Sequence, residues 1–354
     1  MRIAIFFLLF SIAIPKRTIT TIAGGRKGSY SGVAGAATTA AIDQPNQITL
    51  DKAGNIYIAE YGNNVIRKIS KDGIIALVAG NGKAGHTGDG GLAHTASLYG
   101  PCDIAFDKFG NMYIADMGNN CIRKVSALGI ISTVAGIGEA GFSGDDDPAV
   151  RARLHNPIAI IFDNWNNLLI VERANHCIRK LSPSGIITTI AGGTAGFSGD
   201  GGPAVDALIN SPTDIAVDSK GNIYIADDRN NRIRKISVSG RISTFAGTGS
   251  EGYGKDGTAA TNCSLNHPYG IFVDSKDNIY FSDNGNAVIR KIDNKHIVTT
   301  VAGTPGKAGY TGDGGPALKS EISNPGGLAI DQSGNLLLAD FGNNAVRKIT
   351  GVGN

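Results

Sequence analysis

The sequence predicts an all-β fold made of six repeats that close into a ring. A stretch of the type Gly-Asn-Ile-Tyr-Ile-Ala-Asp occurs six times in the 354 residues, at steps of 55 to 57 residues. A fixed period of this size is the signature of a repeat architecture. The apolar runs are short, and Gly, Pro, Asn and Asp separate them, which is typical of strands joined by turns.

The hairpin at the centre of each repeat is clearest in the fourth copy, at residues 221–237. Residues 223–226 and 233–236 are β-branched or aromatic, and such residues suit half-buried strands. The Asp-Asp-Arg-Asn-Asn between them supplies side chains that form turns and tolerate left-handed backbone. Two such runs joined by a turn predict a β-hairpin.

A further strand precedes each hairpin, and another follows it. Each preceding strand begins two residues after a proline and ends in aspartate, and proline biases the residue before it towards extended backbone. One repeat therefore gives four antiparallel strands, and six repeats predict a six-bladed β-propeller. The predicted innermost strands are residues 47–51, 103–107, 159–163, 214–218, 270–274 and 327–331.

Residues 18–24 predict how the ring closes. Their sequence, Thr-Ile-Thr-Thr-Ile-Ala-Gly, resembles the strand that follows the hairpin in the first five copies, whereas the sixth hairpin has no such strand behind it. The N-terminal strand would therefore complete the last blade and leave no frayed edge.

The charged residues predict structural ion pairs rather than a charged binding surface. The formal net charge is +3, and one Arg-Lys pair stands in the second hairpin strand of every copy, from Arg67-Lys68 to Arg347-Lys348. Spread evenly around a ring, these pairs form no basic patch, so no nucleic-acid binding is expected. Each pair is expected to meet the acid that ends the preceding strand: Glu60, Asp116, Glu172, Asp227, Asp283 and Asp340.

The repeats carry a family resemblance. The pattern Pro-x-x-Ile-Ala-Val-Asp-x-x-Gly-Asn-Ile-Tyr-Ile-Ala-Asp-x-x-Asn-x-Arg-Ile-Arg-Lys-Ile, intact at residues 212–236, resembles the NHL repeat. The resemblance covers the chain from Thr18 onward. It implies that the strand led by proline lines the channel and that the Thr-x-Ala-Gly strand is outermost.

The N-terminal residues predict export. Residues 3–14 are almost wholly apolar and follow one positive charge, and this length fits a signal-peptide core better than a membrane span. We therefore expect residues 1–17 to be a signal peptide or signal anchor and residues 18–354 to be the propeller. The expected protein is secreted or otherwise extracytoplasmic, is monomeric and has no other membrane span.

A loop of about twenty residues enters each inner strand, and such a length is uncommon without a purpose. By strand direction these loops share one rim with the hairpin turns. Each loop carries an aromatic residue, except that His86 takes this place in the second copy; the aromatic residues are Tyr30, Phe142, Phe197, Tyr253 and Tyr310. We expect them to anchor the loops by packing. An aspartate recurs at Asp89, Asp145, Asp200, Asp256 and Asp313, with Val33 in the first copy.

The candidate ligand-binding residues lie where the copies differ. The first hairpin-turn position holds Tyr61 in blade 1, Met117 in blade 2 and Phe341 in blade 6, which closure makes neighbours. Arg173, Asp228 and Asn284 fill the other three positions. The resulting apolar arc suits contact with a protein or peptide. The alternative is that each ring lies under its adjacent loop.

A second candidate site is the mouth of the channel. Gln47, Asp103 and Asp214 stand at the starts of inner strands, where they could hold a cation. His155 and His267 also lie near such starts. No nucleophile–base pair and no spacing of metal ligands stands out, so no catalytic residue, metal ligand or cofactor is assigned.

These patterns favour a non-catalytic binding or scaffold propeller that presents one rim to a protein, peptide or glycan. The alternative function is a metal-dependent lyase or hydrolase with its site at the channel mouth. A third possibility is a sensor domain detached from a membrane protein. Because a fold does not determine function, the choice rests on the site.

Overall fold

Antiparallel sheets follow one another along the chain in the computed structural model, which describes residues 17–25 and 34–352. The N-terminal strand is β1 (Ile19–Gly24). Blade 1 consists of β2 (Ala34–Ala36), β3 (Pro45–Leu50), β4 (Ile56–Glu60), β5 (Val65–Ile69) and β6 (Ile74–Ala79). Blade 2 consists of β7 (Pro101–Phe106), β8 (Met112–Asp116), β9 (Cys121–Val125) and β10 (Ile131–Ala135). Blade 3 consists of β11 (Pro157–Phe162), β12 (Leu168–Glu172), β13 (Cys177–Leu181) and β14 (Ile187–Gly192).

The remaining blades repeat the same order. Blade 4 consists of β15 (Pro212–Val217), β16 (Ile223–Asp227), β17 (Arg232–Ile236) and β18 (Ile242–Ala246). Blade 5 consists of β19 (Pro268–Val273), β20 (Ile279–Asp283), β21 (Val288–Ile292) and β22 (Val298–Ala302). Blade 6 consists of β23 (Pro325–Ile330), β24 (Leu336–Asp340), β25 (Ala345–Ile349) and β1. Short 3-10 helices are Ala37–Thr39, Ala93–Thr95, Met117–Asn119, Ala149–Arg151, Ala204–Asp206, Asp228–Asn230, Ala260–Asn262, Asn284–Asn286, Ala317–Lys319 and Phe341–Asn343.

The six-bladed propeller with four-stranded antiparallel blades is confirmed, with one addition. The sheet of blade 1 has a fifth strand, because β2 pairs with the outer edge of β6. The inner strands begin at the proline, two residues before the predicted start, and end one residue before the aspartate. Each inner strand contacts those of the neighbouring blades, and β23 of blade 6 contacts β3 of blade 1, so the ring is closed.

The predicted closure by the N-terminal strand is also confirmed. Strand β1 pairs with β25 from Ile19 opposite Ile349 to Gly24 opposite Ala345. The sheet order of blade 6 is therefore β1-β25-β24-β23. Residues 1–16, which hold most of the predicted signal segment, lie outside the described residues. No helix in the described ranges is long and apolar enough to cross a membrane.

The hydrophobic core lies between the blades. Buried apolar residues form six clusters among the described residues, one at each boundary between neighbouring blades. The last cluster joins Ala23 of β1 and Leu337 of blade 6 to Ile58 and Ile75 of blade 1. Blade-to-blade packing, rather than one central core, therefore holds the ring together.

Each blade contains the predicted ion pair, and its arginine is fully buried. In blade 4 the distance from Arg234 Nη1 to Asp227 Oδ2 is 3.3 Å, and both side chains are inaccessible to solvent. The lysine beside each arginine does not join this pair in blades 2, 4 and 5, because its ammonium lies over a tyrosine ring instead. The acid–arginine pairs are Glu60–Arg67, Asp116–Arg123, Glu172–Arg179, Asp227–Arg234, Asp283–Arg290 and Asp340–Arg347.

The recurring loop aspartate is a second partner of the same arginine. Asp200 Oδ1 lies 2.7 Å from Arg234 Nη2, and Asp200 Oδ2 accepts a hydrogen bond from Thr244 Oγ1 at 2.6 Å. Because Thr244 lies on the outermost strand of the blade, the aspartate fastens the incoming loop over the blade's outer half. The equivalent pairs are Asp89–Arg123, Asp145–Arg179, Asp256–Arg290 and Asp313–Arg347.

Candidate functional site

The rim that carries the long loops also carries the hairpin turns, as the strand directions require. The turn between the second and third strands of each blade ends in a left-handed residue, for example Asn231 with a φ of 51°. This conformation suits asparagine and turns the chain back within a few residues. The first positions of these turns surround the mouth of the channel: Tyr61, Met117, Arg173, Asp228, Asn284 and Phe341.

The predicted apolar arc brings Tyr61 and Phe341 together. Their ring centroids are 6.5 Å apart and the rings are tilted by 47°. Tyr61 and Met117 both pack against the buried cluster that contains Cys102, and the Cys102 Sγ lies 3.5 Å from the Met117 sulfur. All three predicted residues are half-buried. The arc thus combines an exposed edge with a packed base, and its role in ligand binding stays a prediction.

The opposite side of the mouth is a charged cluster centred on Asp228. The Asp228 carboxylate is 6% exposed, lies 3.2 Å from Arg173 Nη2 and lies 2.7 Å from His267 Nδ1. The side chains of Arg173 and His267 are 37% and 36% exposed. Asp228 therefore orients the side chains of Arg173 and His267 and leaves part of each available to a ligand.

A cavity of about 320 Å³ lies between the two sides of the mouth. Arg173, Asp228 and Asn284 line it on the polar side, and Phe341 lines it on the apolar side. Tyr269 also lines it, and its hydroxyl accepts a hydrogen bond at 2.9 Å from Asn46 Nδ2, two blades away. The mouth is therefore an amphipathic pocket with a tyrosine fixed across its base.

The sequence analysis did not assign Tyr269 to the site. The residue after the inner proline is Asn46, Cys102, Ile158, Thr213, Tyr269 or Gly326 in the six copies. Tyr269 is the only aromatic side chain among them, which was a signal available in the sequence. Gly326 and Gly327 of blade 6 have no side chains, which leaves room for contacts between blades 1 and 5. A Cβ on Gly327 would lie within 3 Å of the Gln47 amide.

The structure places Gln47, Asp103 and Asp214 at the neck of the channel. Gln47 Nε2 donates to Asp214 Oδ2 across the ring at 3.1 Å. The Asp103 carboxylate accepts from the backbone N–H groups of Ile104 and Ile160, at 2.6 and 2.7 Å. Asp214 does the same for Ile215 and Ile271, each at 2.8 Å.

These bonds give the two aspartates a structural role, because each one joins the inner strands of two adjacent blades. Burial, and then the nearby Asp214 carboxyl, raises the pKa of Asp103 well above its ordinary value. Burial raises the pKa of Asp214 to about 7. A like charge disfavours ionisation of a second carboxyl in one buried site, so ionisation of one of the two aspartates opposes that of the other. The predicted binding role of Gln47, Asp103 and Asp214 stays a prediction.

A cavity of about 400 Å³ extends from this neck towards the other face. Every inner strand contributes an aliphatic residue at the same position to its wall, which also includes the polar side chains of Gln47, Asp103 and Asp214. Nowhere within residues 17–25 and 34–352 do three or more His, Cys, Asp or Glu side chains form a group that could hold a metal ion. The six aliphatic residues are Ile48, Ile104, Ile160, Ile215, Ile271 and Leu328.

The loop aromatics pack on the buried arginines, as an anchoring role requires. The Arg234 guanidinium lies 4.8 Å from the centroid of the Phe197 ring, and Arg232 lies 3.7 Å from it. Phe197 is 42% exposed, so part of the ring remains accessible to solvent. Phe142, Tyr253 and Tyr310 lie over arginines in the same way. Tyr30 and Val33 lie outside the described residues.

The fold defines the class of the protein as a closed six-bladed β-propeller in which the strand led by proline lines the channel. The sequence profile of the teneurin NHL domain matches residues 80–141, 193–255 and 248–310, and that of the NHL repeat matches residues 323–349. The chain therefore belongs to the family of NHL-repeat propellers.

Curated relatives support this assignment over most of the chain. NHL repeat-containing protein 2 of Bos taurus is 27% identical over 342 residues, covering 86% of this chain and 46% of the relative. The chloroplastic protein SUPPRESSOR OF QUENCHING 1 of Arabidopsis thaliana is 28% identical over 284 residues, covering 76% and 27%. Human teneurin-1 is 31% identical over 235 residues, covering 59% and 8%. The chain spans less than half the length of each.

Solved structures show the same fold at low identity. An auxiliary nutrient binding protein from Bacteroides ovatus superposes with a TM-score of 0.69 at 16% identity, covering 95% of this chain and 76% of the other. A streptogramin B lyase superposes with a TM-score of 0.55 at 16% identity, covering 96% and 99%. At these identities the likeness establishes the propeller fold alone.

Proposed function

We propose that this NHL-repeat propeller is a non-catalytic binding protein whose rim takes a peptide segment of a protein partner. The observation that carries the proposal is the 320 Å³ cavity at the channel mouth. Phe341, whose ring lies beside that of Tyr61, borders the cavity on one side. Arg173, Asp228 and His267 border it on the other. The framework residues of the ring recur in every blade, whereas these residues do not.

The chemistry of the mouth suits a peptide with an aromatic or aliphatic side chain. Such a side chain would pack against Phe341 and Tyr61, which already rest on a rigid base. The half-exposed guanidinium of Arg173 would donate to a peptide carbonyl or carboxylate. Because Asp228 already fixes Arg173, little side-chain entropy would be lost on binding.

Selection from a random peptide library on the immobilised protein tests this function. We expect the selected peptides to share an aromatic or large aliphatic residue and to bind in a 1:1 ratio. The double variant Tyr61→Ser and Phe341→Ser should keep the melting temperature within a few degrees and lose the peptides. A matched control is Phe109→Ser with Trp165→Ser, which removes rings that are 72% and 63% exposed.

The outcomes separate the possibilities. Peptides that bind the Tyr61/Phe341 variant as well as the parent would place the site elsewhere. Unfolding of that variant would identify the two rings as part of the core. Failure to select any peptide, with a glycan array giving specific binding instead, would replace the peptide by a glycan as the ligand.

A second candidate function, a lyase or hydrolase at the same mouth, rests on the His267–Asp228 hydrogen bond. A carboxylate that orients an imidazole is the arrangement a general base requires. Elemental analysis of the purified protein tests the metal-dependent form of this function. One equivalent of bound metal that is lost in His267→Ala would favour the enzyme over the binding protein.

The proposed setting is extracytoplasmic, with the propeller acting as a monomer and without a nucleic-acid partner. This proposal rests on the apolar residues 3–14 and on the even spread of the Arg-Lys pairs. N-terminal sequencing of the secreted protein, together with its mass in solution, checks the export and the oligomeric state.

A further inference from the structure

A cavity of about 610 Å³ lies at the boundary between blades 6 and 1, on the face opposite the mouth. It lies beside the closing strand, and we call it the closure groove. Its apolar wall contains Ile22 of β1, Leu50 and Ile56 of blade 1 and Leu337 of blade 6, and its polar edge contains Lys71 and Lys348. Its volume falls in the range of small-molecule sites, roughly 300–1,000 Å³.

The boundary at the closure groove lacks an aromatic pair that is present at others. Tyr57 of blade 1 meets Phe106 of blade 2 edge to face at 4.9 Å, and Tyr113 of blade 2 meets Phe162 of blade 3 at 5.0 Å. The equivalent residues at the closing boundary are Leu337 and Leu50. Two leucines fill less space than two rings, and the closure groove is larger than the cavity of about 390 Å³ beside Tyr113 and Phe162.

The boundary between blades 3 and 4 is also aliphatic, but a ring covers it. Leu169 and Val217 take the two positions there. The Trp165 indole lies so close to Gly221 of blade 4 that a Cβ on that glycine would meet it at 2.9 Å. Ser333 stands at the position of Trp165 in blade 6, so no ring covers the closure groove in this way.

The leucine that stands in place of tyrosine at position 337 also leaves a lysine without an aromatic partner among the described residues. Lys124, Lys235 and Lys291 lie over tyrosine rings at 5.5, 5.3 and 5.3 Å. Lys348 holds the equivalent place in blade 6, where its cross-strand neighbour is Leu337 rather than tyrosine. In the described part of the chain, neither Lys348 nor Lys71 takes part in an ion pair or a cation–π contact.

Within the described ranges, the one acid that borders the groove, Asp331, forms no ion pair with these two lysines. The Asp331 carboxylate accepts hydrogen bonds from the backbone N–H groups of Ser333 and Asn335, each at 2.9 Å, and from the Asn335 amide at 2.8 Å. It is therefore engaged within its own turn. The groove combines an aliphatic wall with two ammonium groups and has an excess of positive charge.

We propose that the closure groove binds a small amphipathic anion, a free carboxylate with an apolar tail. The tail would lie on Ile22, Leu50 and Ile56, and the carboxylate would face Lys348 and Lys71. Charge complementarity selects an anion over an amine or a neutral ligand. This site is on the other face from the mouth and does not depend on the function proposed there.

Calorimetric titration with decanoate tests the proposal, with decylamine and decanol as probes of equal tail length. We expect 1:1 binding of decanoate and at least about tenfold weaker binding of decylamine, a difference of about 1.4 kcal/mol. The variant Leu337→Tyr restores the residue used in blades 1, 2, 4 and 5. It should fill the groove, cover Lys348 and weaken decanoate binding about tenfold or more.

Control variants separate the groove from general effects. Lys348→Met keeps the aliphatic stem and should weaken decanoate without affecting decanol. Leu169→Tyr makes the matching change at the boundary between blades 3 and 4 and should leave decanoate binding unchanged. Absence of decanoate binding by the parent, equal binding of decylamine, or unchanged binding by a folded Leu337→Tyr variant would each overturn the proposal.

Discussion

Blades 4 and 1 have the same inner framework but hold their incoming loops differently. In blade 4 residues 201–204 make backbone hydrogen bonds to the outer strand and its approach. Side chains tie the same loop as well, since Asp200 binds Arg234 and Thr244 while Phe197 stacks on Arg234. In blade 1 the loop is tied through backbone, as residues 34–36 pair with the outer strand β6. The pair of buried acid and arginine is common to both blades, and the loop attachment varies.

This difference separates two kinds of repeated residue. The buried arginine serves the blade itself and cannot be replaced without leaving a buried carboxylate unpaired. The loop aspartate only fastens a surface segment, and a short strand can do the same work. Four changes test this distinction, and they differ in the loss of stability that we expect.

Removing the closing strand should have the largest effect. A chain that begins at residue 25 would lose β1 and expose the edge of β25 in blade 6, which lowers stability by several kcal/mol and favours aggregation. Denaturant unfolding and light scattering measure both effects. Deleting residues 34–36 instead should cost far less, because β2 is an addition outside a complete blade. Equal losses of stability from the two deletions would show that β2 contributes as much to the fold as β1.

Replacing the buried arginine of blade 4 should have the next largest effect. Arg234→Met keeps much of the volume but leaves Asp227 buried without its cation, and breaking such a pair costs about 3–5 kcal/mol. The free energy of unfolding measures the cost. Asp200→Ala removes only the partly exposed tie and should cost about 0.5–1 kcal/mol. If the two variants were equally destabilised, the loop would be as essential to the blade as its inner ion pair.

Truncating the loop aromatic should have an intermediate effect. A buried phenylalanine costs about 3–5 kcal/mol when replaced by alanine, but Phe197 is 42% exposed and packs mainly on the guanidinium groups of Arg232 and Arg234. We expect Phe197→Ala to cost about 1–2 kcal/mol in thermal or denaturant unfolding. A loss of stability as large as that of Arg234→Met would show that the loop contributes as much as the buried ion pair.

Lowering the pH should loosen the loop of blade 4 before that of blade 1. Burial raises the pKa of Asp200, but hydrogen bonds from Thr244 and Arg234 outweigh it, so the pKa lies below the ordinary value of 3.8. The tie therefore contributes stability above pH 4 and loses it as the pH falls through the lowered pKa. Hydrogen exchange of residues 196–204 at pH 5 and pH 3, corrected for intrinsic rates, measures this. Residues 34–44 should change less.

The sequence predicted the ring because its framework is periodic. The inner proline, the acid and the buried arginine recur in every copy, and the displaced residues 18–24 revealed the closure. Strand β2 could not be predicted, since Ala34, Gly35 and Ala36 have weak strand propensity and pair only because the edge of β6 is available. Strand propensity predicts poorly where contacts with a neighbouring strand determine whether a segment becomes a strand.

The candidate site was predicted less completely, because its contacts depend on residues from several blades. Tyr61 and Phe341 could be placed together because closure makes their blades neighbours. The bond between Gln47 and Asp214 joins opposite blades and depends on Gly327 leaving room for the amide. Contacts across the channel follow from side-chain size in several blades at once, which no single repeat reveals.

The pairing of β1 with β25 also determines how the ring would respond to force. Thr18 and Thr350 lie side by side, with 2.8 Å between their hydroxyl oxygens, so the chain enters and leaves the ring at the same end of this antiparallel pair. Tension applied between residues 17 and 352 would load the hydrogen bonds one after another, from Ile19–Ile349 inward, as a zipper opens. A pulling experiment between these ends would therefore open the ring at low force and at blade 6 first. Tension applied to opposite ends of the two strands would instead load all the hydrogen bonds together.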